Sequence, residues 1–114
     1  MANVRTDVRT EGDGTVVVQP HGVVGAESAV ELRQVLVHAV RRLRPHRLVI
    51  DLSDVGALDS INVGTVVAIC DLAADHQVAL FVDGATAAIT AGLHEAGVHH
   101  RHLRTPSLAG ELPR

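Results

Sequence analysis

Hydrophobic residues in this chain fall first at alternate positions, then in short solid runs separated by stripes of helical period. Val4, Thr6 and Val8 alternate with Arg5, Asp7 and Arg9, which predicts a half-exposed strand. Glu11-Gly-Asp-Gly14 supplies hairpin chemistry, and Thr15 to Gln19 reads as the returning strand, ended by Pro20-His-Gly22. Between about Glu27 and Leu43, Leu32, Val35, Leu36, Ala39, Val40 and Leu43 recur at helical spacing, and Pro45 closes that helix. Leu48 to Leu52 is an apolar run of strand length. Ser53, Asp54 and Gly56 then predict a turn. Val63, Val66, Val67, Cys70 and Ala74 mark the core-facing side of a second helix over 61–75. Val78 to Val82 predicts another buried strand. A short helix from about Ala85 to Ala96 follows, with Gly97-Val98 as its glycine cap and hydrophobic contact. Residues 99–104 predict a last strand, and Ser107 to Leu112 a marginal turn or two of helix.

Two strands followed by alternating helix and strand predict one α/β domain over residues 1–114, with a mixed four- or five-stranded sheet. Right-handed crossovers put the strand-to-helix turns at the C-terminal edge of such a sheet, where ligand and partner sites gather. Asp51, Asp54, Asp59 and Ser60 belong at that edge. Ser60 stands where the second helix begins, its hydroxyl placed to accept from the Val63 N–H as an N-cap. A helix N-terminus also favours a phosphate. Ile61, Thr65, Ile69 and Leu72 form a second, partly apolar stripe on this helix. It is either covered by a neighbouring helix or exposed as a protein-binding surface beside Ser60.

Composition narrows the chemistry. A hydrophobic content of 46% supports a sizeable core, but Phe81 is the sole aromatic, so the core is built from Val, Leu, Ile and Ala. The formal charge is −3 and every basic side chain is an arginine, with neither the basic excess nor the stacking aromatics of a nucleic-acid binder. Arg41, Arg42 and Arg44 gather at the end of the first helix, either complementing its dipole or forming a patch for an acidic partner. Cys70 is alone, which forbids an intramolecular disulfide and predicts a buried structural thiol. The N-terminal residues lack a signal-peptide core and no apolar run approaches membrane-spanning length, so a cytoplasmic protein without a membrane partner is expected.

Enzymatic constellations are missing. There is no Gly-x-Ser-x-Gly elbow, so a serine hydrolase is excluded. Asp51, Asp54 and Asp59 resemble the acidic cluster of a phosphorylated-aspartate receiver, but this chain contains no lysine to complete it. His100 and His102 would share a strand face as metal ligands do, yet no cysteine or acid stands near to complete a set. No enzyme activity, metal or cofactor is expected.

The stretch from Leu48 to Cys70 resembles the centre of STAS domains (sulfate transporter and anti-sigma factor antagonist), especially the small bacterial anti-sigma factor antagonists. Their pattern is an apolar strand ending in Asp-Leu-Ser, then Asp-Ser-(Ser/Thr)-Gly-(Leu/Val)-Gly opening a helix. Here the strand ends in Asp51-Leu52-Ser53 and the motif reads Asp59-Ser60-Ile61-Asn62-Val63-Gly64. The resemblance covers roughly residues 15–105 and is specific over 47–72. It implies a STAS-like fold with helices packed mainly on one side of the sheet, and it puts the phosphoacceptor at Ser60. It also implies an anti-sigma factor with serine kinase activity as partner, which brings the ATP, so that phosphorylation of Ser60 switches the antagonist off. Asp59, Ser60, Ile61, Asn62, Thr65 and Ile69 are the partner-binding residues expected on this basis, in a monomer or weak homodimer.

Three departures from the family pattern stand out. Ile61 replaces the second hydroxyl residue, and Asn62 replaces the first glycine, where its side chain would either hydrogen-bond locally or obstruct an approaching kinase. Gly22-Val23-Val24-Gly25 lacks the acidic residues usual before the first helix. These departures favour the first alternative, a STAS adaptor or scaffold that is never phosphorylated; a small-ligand-binding STAS domain using the sheet's C-terminal edge is the other.

Overall fold

The computed structural model of the chain describes residues 6–104. Val4 of the expected first strand, and the expected terminal helix over Ser107 to Leu112, lie outside the described residues.

Strands β1 (Thr6–Thr10) and β2 (Val16–Pro20) form the predicted hairpin. Its turn is closed by Glu11 N–H on Thr15 O (2.8 Å) and by the Asp13 carboxylate, which accepts from Thr15 N–H at 2.9 Å. A short 3-10 turn (Ala26–Ser28) leads from β3 (Gly22–Val24) into α1 (Ala29–His38). A π-helical turn, Ala39–Leu43, then carries α1 to Arg44, whose left-handed backbone (φ 48°) ends the helix before Pro45. Next come β4 (Arg47–Asp51), β5 (Val55–Leu58), α2 (Ser60–Asp75), β6 (Ala79–Asp83), α3 (Ala87–Glu95) and β7 (Leu103–Arg104).

The main sheet has the order β1-β2-β4-β6-β7 and is parallel except at the opening hairpin. Alternation then sorts its side chains. Val16, Val18, Leu48, Ile50, Leu80 and Val82 face one core with Leu32 and Leu36 of α1, Val66 and Ile69 of α2, and Ile89 and Leu93 of α3. The helices therefore lie on one side of the sheet. Val17 and Val49 face the other side among the arginines of the strands, where the Arg104 guanidinium sits 4.2 Å over the Phe81 ring. The α3 cap is as predicted: Gly97 has φ +113°, Val98 N–H reaches Leu93 O at 3.0 Å, and Val98 is buried.

Three expectations need correction. The turn predicted at Ser53, Asp54 and Gly56 is confined to Ser53 and Asp54; Val55–Leu58 is a strand, and it pairs with β3 in a separate two-stranded parallel sheet. Both segments are too short and glycine-rich to declare a period. Residues 99–104 are mainly a 3-10 turn (His100–His102), with only Leu103 and Arg104 paired to β6. There the His102 ring donates Nδ1–H to the Leu80 carbonyl at 2.8 Å, so a side chain takes the bond that a strand amide would have made. The third correction is the rotation of α2. It buries Asn62, Thr65, Val66, Ile69 and Ala73, while Ala74 is exposed and Val63, Val67 and Cys70 are half-buried. The helix lies between α1 and α3 and over β6, and its apolar residues go nearly all round, so periodicity alone does not choose the face.

One glycine is required by packing. Gly84 follows β6 with φ +74°, and a Cβ there would stand 2.8 Å from Ser53 Cβ in the loop after β4. Gly84→Ala is expected to destabilise the fold by about 2–3 kcal/mol through backbone strain and displacement of that loop. Urea unfolding measures it; a loss under about 0.5 kcal/mol would show that the two loops part freely.

Candidate functional site at the start of α2

Ser60 opens α2 as an exposed residue of the first turn, not as its cap. Asp59 is the cap: its backbone is extended and its Oδ1 accepts from the Ile61 N–H at 2.7 Å. The Val63 N–H is taken by the Asp59 carbonyl at 3.0 Å. The Ser60 hydroxyl has no hydrogen-bond partner among the described residues, so its oxygen projects free from the positive end of a 16-residue helix.

The small sheet holds this end in place. Gly22 N–H donates to Asp54 O (2.8 Å) at one end of the β3–β5 pair, and Asp59 N–H donates to Val24 O (2.9 Å) at the other. Asn62 adds a side-chain strap, its Nδ2 donating to Gly25 O at 3.0 Å and Val24 O at 3.3 Å. The residue is fully buried, and its Oδ1 has no partner. Asn62 therefore obstructs nothing outside the fold; it points inward and ties α2 to the β3–α1 junction. The family glycine position is occupied here by a buried tether.

Burial also corrects the expected contact surface. Asn62, Thr65 (8% exposed) and Ile69 (2%) belong to the interior and offer nothing to a partner. Thr65 satisfies its hydroxyl on the Ile61 carbonyl at 3.3 Å. Of the six residues named from the sequence, Asp59, Ser60 and Ile61 remain accessible, with Ile61 55% exposed. Val23 on β3, 66% exposed and opposite Ala57 of β5, adds a second apolar residue on the small sheet beside them. Only the pairing of β3 with β5 places it there. Glu27 also reaches this rim, its carboxylate against Gly25, so the junction does carry an acid, placed after the family position.

A charged clip braces the same loops. The His21 ring lies between Asp54 (Nδ1 to Oδ2, 2.5 Å) and Asp7 (Nε2 to Oδ2, 2.9 Å). The hydrogen bond with Asp54, then that with Asp7, raises the His21 pKa above its ordinary 6.5. A raised folded pKa means that this clip stabilises fully below the unfolded value and that its contribution disappears as pH rises through the folded one. Wild type minus His21→Ala should therefore show its largest difference in melting temperature near pH 6, shrinking towards pH 9. A difference that grows with pH would reverse the assignment.

The other candidates resolve differently. Asp51 Oδ1 accepts from Ser53 N–H (2.9 Å), Asp54 holds His21 and Asp59 caps α2, so all three aspartates do structural work. His99 and His100 stack at 4.4 Å, His99 accepts from the Arg101 N–H, and no metal-binding group of three or more ligands exists among the described residues. Cys70 is half-buried and lines a cavity of about 510 Å³ against the first half of β6. Burial, with Asp71 second, pushes its thiol up to about 11, which leaves it protonated and a poor nucleophile at neutral pH. No helix of the described residues is long and apolar enough to cross a membrane.

The strand–cap–serine–helix arrangement coincides with a family match over most of the chain: the model described as "Mlab, STAS domain" covers residues 8–106. The chain belongs to the STAS domain family. Its fold is that of the solved anti-sigma factor antagonists. An anti-sigma factor antagonist from Mycobacterium paratuberculosis is 26% identical, with TM-score 0.77 over 95% of this chain and 90% of that one. RsbS from Moorella thermoacetica is 23% identical, with TM-score 0.73 over 89% and 85%. Bacillus SpoIIAA in its phosphorylated form is 11% identical, with TM-score 0.74 over 96% and 100%. Comparison of the sequence with curated proteins gave no match.

Proposed function

We propose that this STAS domain is an anti-sigma factor antagonist, non-catalytic itself, switched by phosphorylation of Ser60. One observation carries the reading: the hydroxyl of Ser60, which follows the aspartate of a stretch resembling the family motif, is exposed and unpartnered among the described residues at the start of α2. The unmodified surface of Asp59, Ser60, Ile61 and Val23 binds an anti-sigma factor of the serine-kinase type, which then releases its sigma factor. The kinase transfers the γ-phosphoryl group of its own ATP to Ser60 Oγ, leaving ADP and the hydroxyl proton as products. The new group adds nearly two negative charges beside Asp59 and Ile61, where desolvation and like-charge repulsion disrupt the contact. The SpoIIAA structures, solved in phosphorylated and unphosphorylated forms, support a switch of this kind.

A second reading is favoured by Ile61. A large apolar residue, exposed where the family has a hydroxyl, suits a permanent contact, as in an adaptor that is never phosphorylated. Incubation with anti-sigma kinases and ATP, followed by intact mass and peptide mapping, separates the two. One phosphate mapped to Ser60 is the expected result. A stable complex with no phosphate, or phosphate on another residue, would replace the switch by the adaptor.

A further inference from the structure

Among the described residues, the arginines of the strands differ from those of α1. Those on the strands are neutralised: Arg9 meets Glu11, Arg47 meets Asp13, and Arg104 grips Asp83 through two bonds of 2.6 and 2.8 Å. Arg33, Arg41, Arg42 and Arg44, all on or just after α1, are exposed, and none makes an ion pair among the described residues. Arg33, Arg41 and Arg42 line one shallow groove of about 320 Å³ with Gln34, Val37 and His38. A helix dipole accounts for positive charge in the last turn. It does not account for Arg33 two turns earlier, nor for the lack of any carboxylate among the groove's lining residues.

Two further features turn this stripe into a surface. The π-helical turn leaves Arg41, Arg42, Leu43 and Arg44 all exposed; four consecutive residues of an ordinary α-turn would return one of them to the core. Gln34 and His38 also line a second groove, of about 500 Å³, whose apolar wall includes Val8, Val35 and Leu43, with Val8 and Leu43 each nearly half exposed. A basic groove and an apolar groove thus run side by side along α1. The single carboxylate of the apolar groove, Glu31, pairs with none of these arginines.

We propose that this double groove is a second protein-docking surface, which takes an acidic amphipathic helix of a partner. Carboxylates of that helix engage Arg33, Arg41 and Arg42, whose planar forks suit them, and its apolar side enters the Val8–Leu43 groove. Charge complementarity favours such a segment over a polyanion. The whole chain is net negative and the stripe offers no aromatic for base stacking, so a nucleic acid or anionic bilayer gains locally and is repelled overall. The surface lies at the C-terminal end of α1, near the start of β4, whereas Ser60 lies beyond the end of β4. Docking there leaves the phosphorylation site open and does not depend on Ser60 being modified.

The test uses a synthetic, acetylated and amidated helical peptide bearing glutamates and a leucine stripe, against the full chain. Amide perturbations should centre on Arg33, Val37, Arg41 and Leu43. Affinity should fall about tenfold or more in Arg41→Glu/Arg42→Glu, severalfold in the milder Arg41→Gln/Arg42→Gln, and not at all in Arg101→Glu. It should also fall about fivefold between roughly 50 and 300 mM salt. Replacing the peptide's leucines by glutamine should weaken it at unchanged charge. No binding, perturbations centred on Ser60, or equal affinity for the charge-reversed variant would overturn the proposal. Tighter binding to phosphatidylglycerol vesicles or to a single-stranded oligonucleotide would overturn it too.

Discussion

Asn62→Asp is expected to destabilise the fold by about 3–5 kcal/mol at neutral pH, the range for a buried, uncompensated charge. The substitution is isosteric, so packing is unchanged. What changes is that the two donors facing Gly25 O and Val24 O become a carboxylate facing them, in a position with no solvent access. Burial and the two carbonyls raise the folded pKa of the new acid above its unfolded value of about 3.9. The unfolded chain then binds fewer protons than the folded one between those two values, so the stability of the variant falls as pH rises through that window. Urea unfolding at about pH 4.5 and pH 7 measures it, with Asn62→Ala as the uncharged control. A variant equally stable at both values would mean that the site admits water. Asn62→Gly, which the sequence suggests would clear a path for a kinase, should instead loosen the start of α2 and lower stability.

Ser60→Asp and Ser60→Ala are expected to separate binding from stability. Because Asp59 caps α2, Ser60→Ala removes no cap and should change stability by less than about 0.5 kcal/mol. Asp59→Ala should lose about 1 kcal/mol instead. Ser60→Ala should bind the anti-sigma partner as tightly as wild type and remain bound when ATP is added. Ser60→Asp places a charge at a helix N-terminus, which the dipole favours, so the fold should hold. Its affinity should fall about thirtyfold, roughly 2 kcal/mol, since the carboxylate enters a contact surface beside Asp59 and the apolar Ile61 and Val23. Thermal unfolding and calorimetric titration report the two quantities separately. Equal affinities for wild type, alanine and aspartate variants would place Ser60 outside the interface and end the switch reading.

Much of this protein is readable from residue order alone. The paired opening strands, the helical stripe from Leu32 to Val40, the solid run Leu48 to Leu52 and the glycine cap at Gly97 are local signals, and each stands where local chemistry predicts, whereas the π-helical turn leaves Leu43 exposed. The Asp59-Ser60 step needed only its neighbours to mark a helix start at the sheet edge. Tertiary structure decided the rest, wherever the deciding contact was distant in sequence. Which of Asp59 and Ser60 caps α2 depends on the strand pairing that extends Asp59, with its amide on Val24. That pairing, β3 with β5, joins segments about 30 residues apart, each too short to show a period. The rotation of α2 was set by α1, α3 and β6 pressing on a helix that is apolar nearly all round. That rotation carried Asn62, Thr65 and Ile69 inside and left Ile61 and Ser60 out. A stripe read from one helix cannot say which of its faces the neighbours will cover, because burial is a property of the packed layers and not of the stripe.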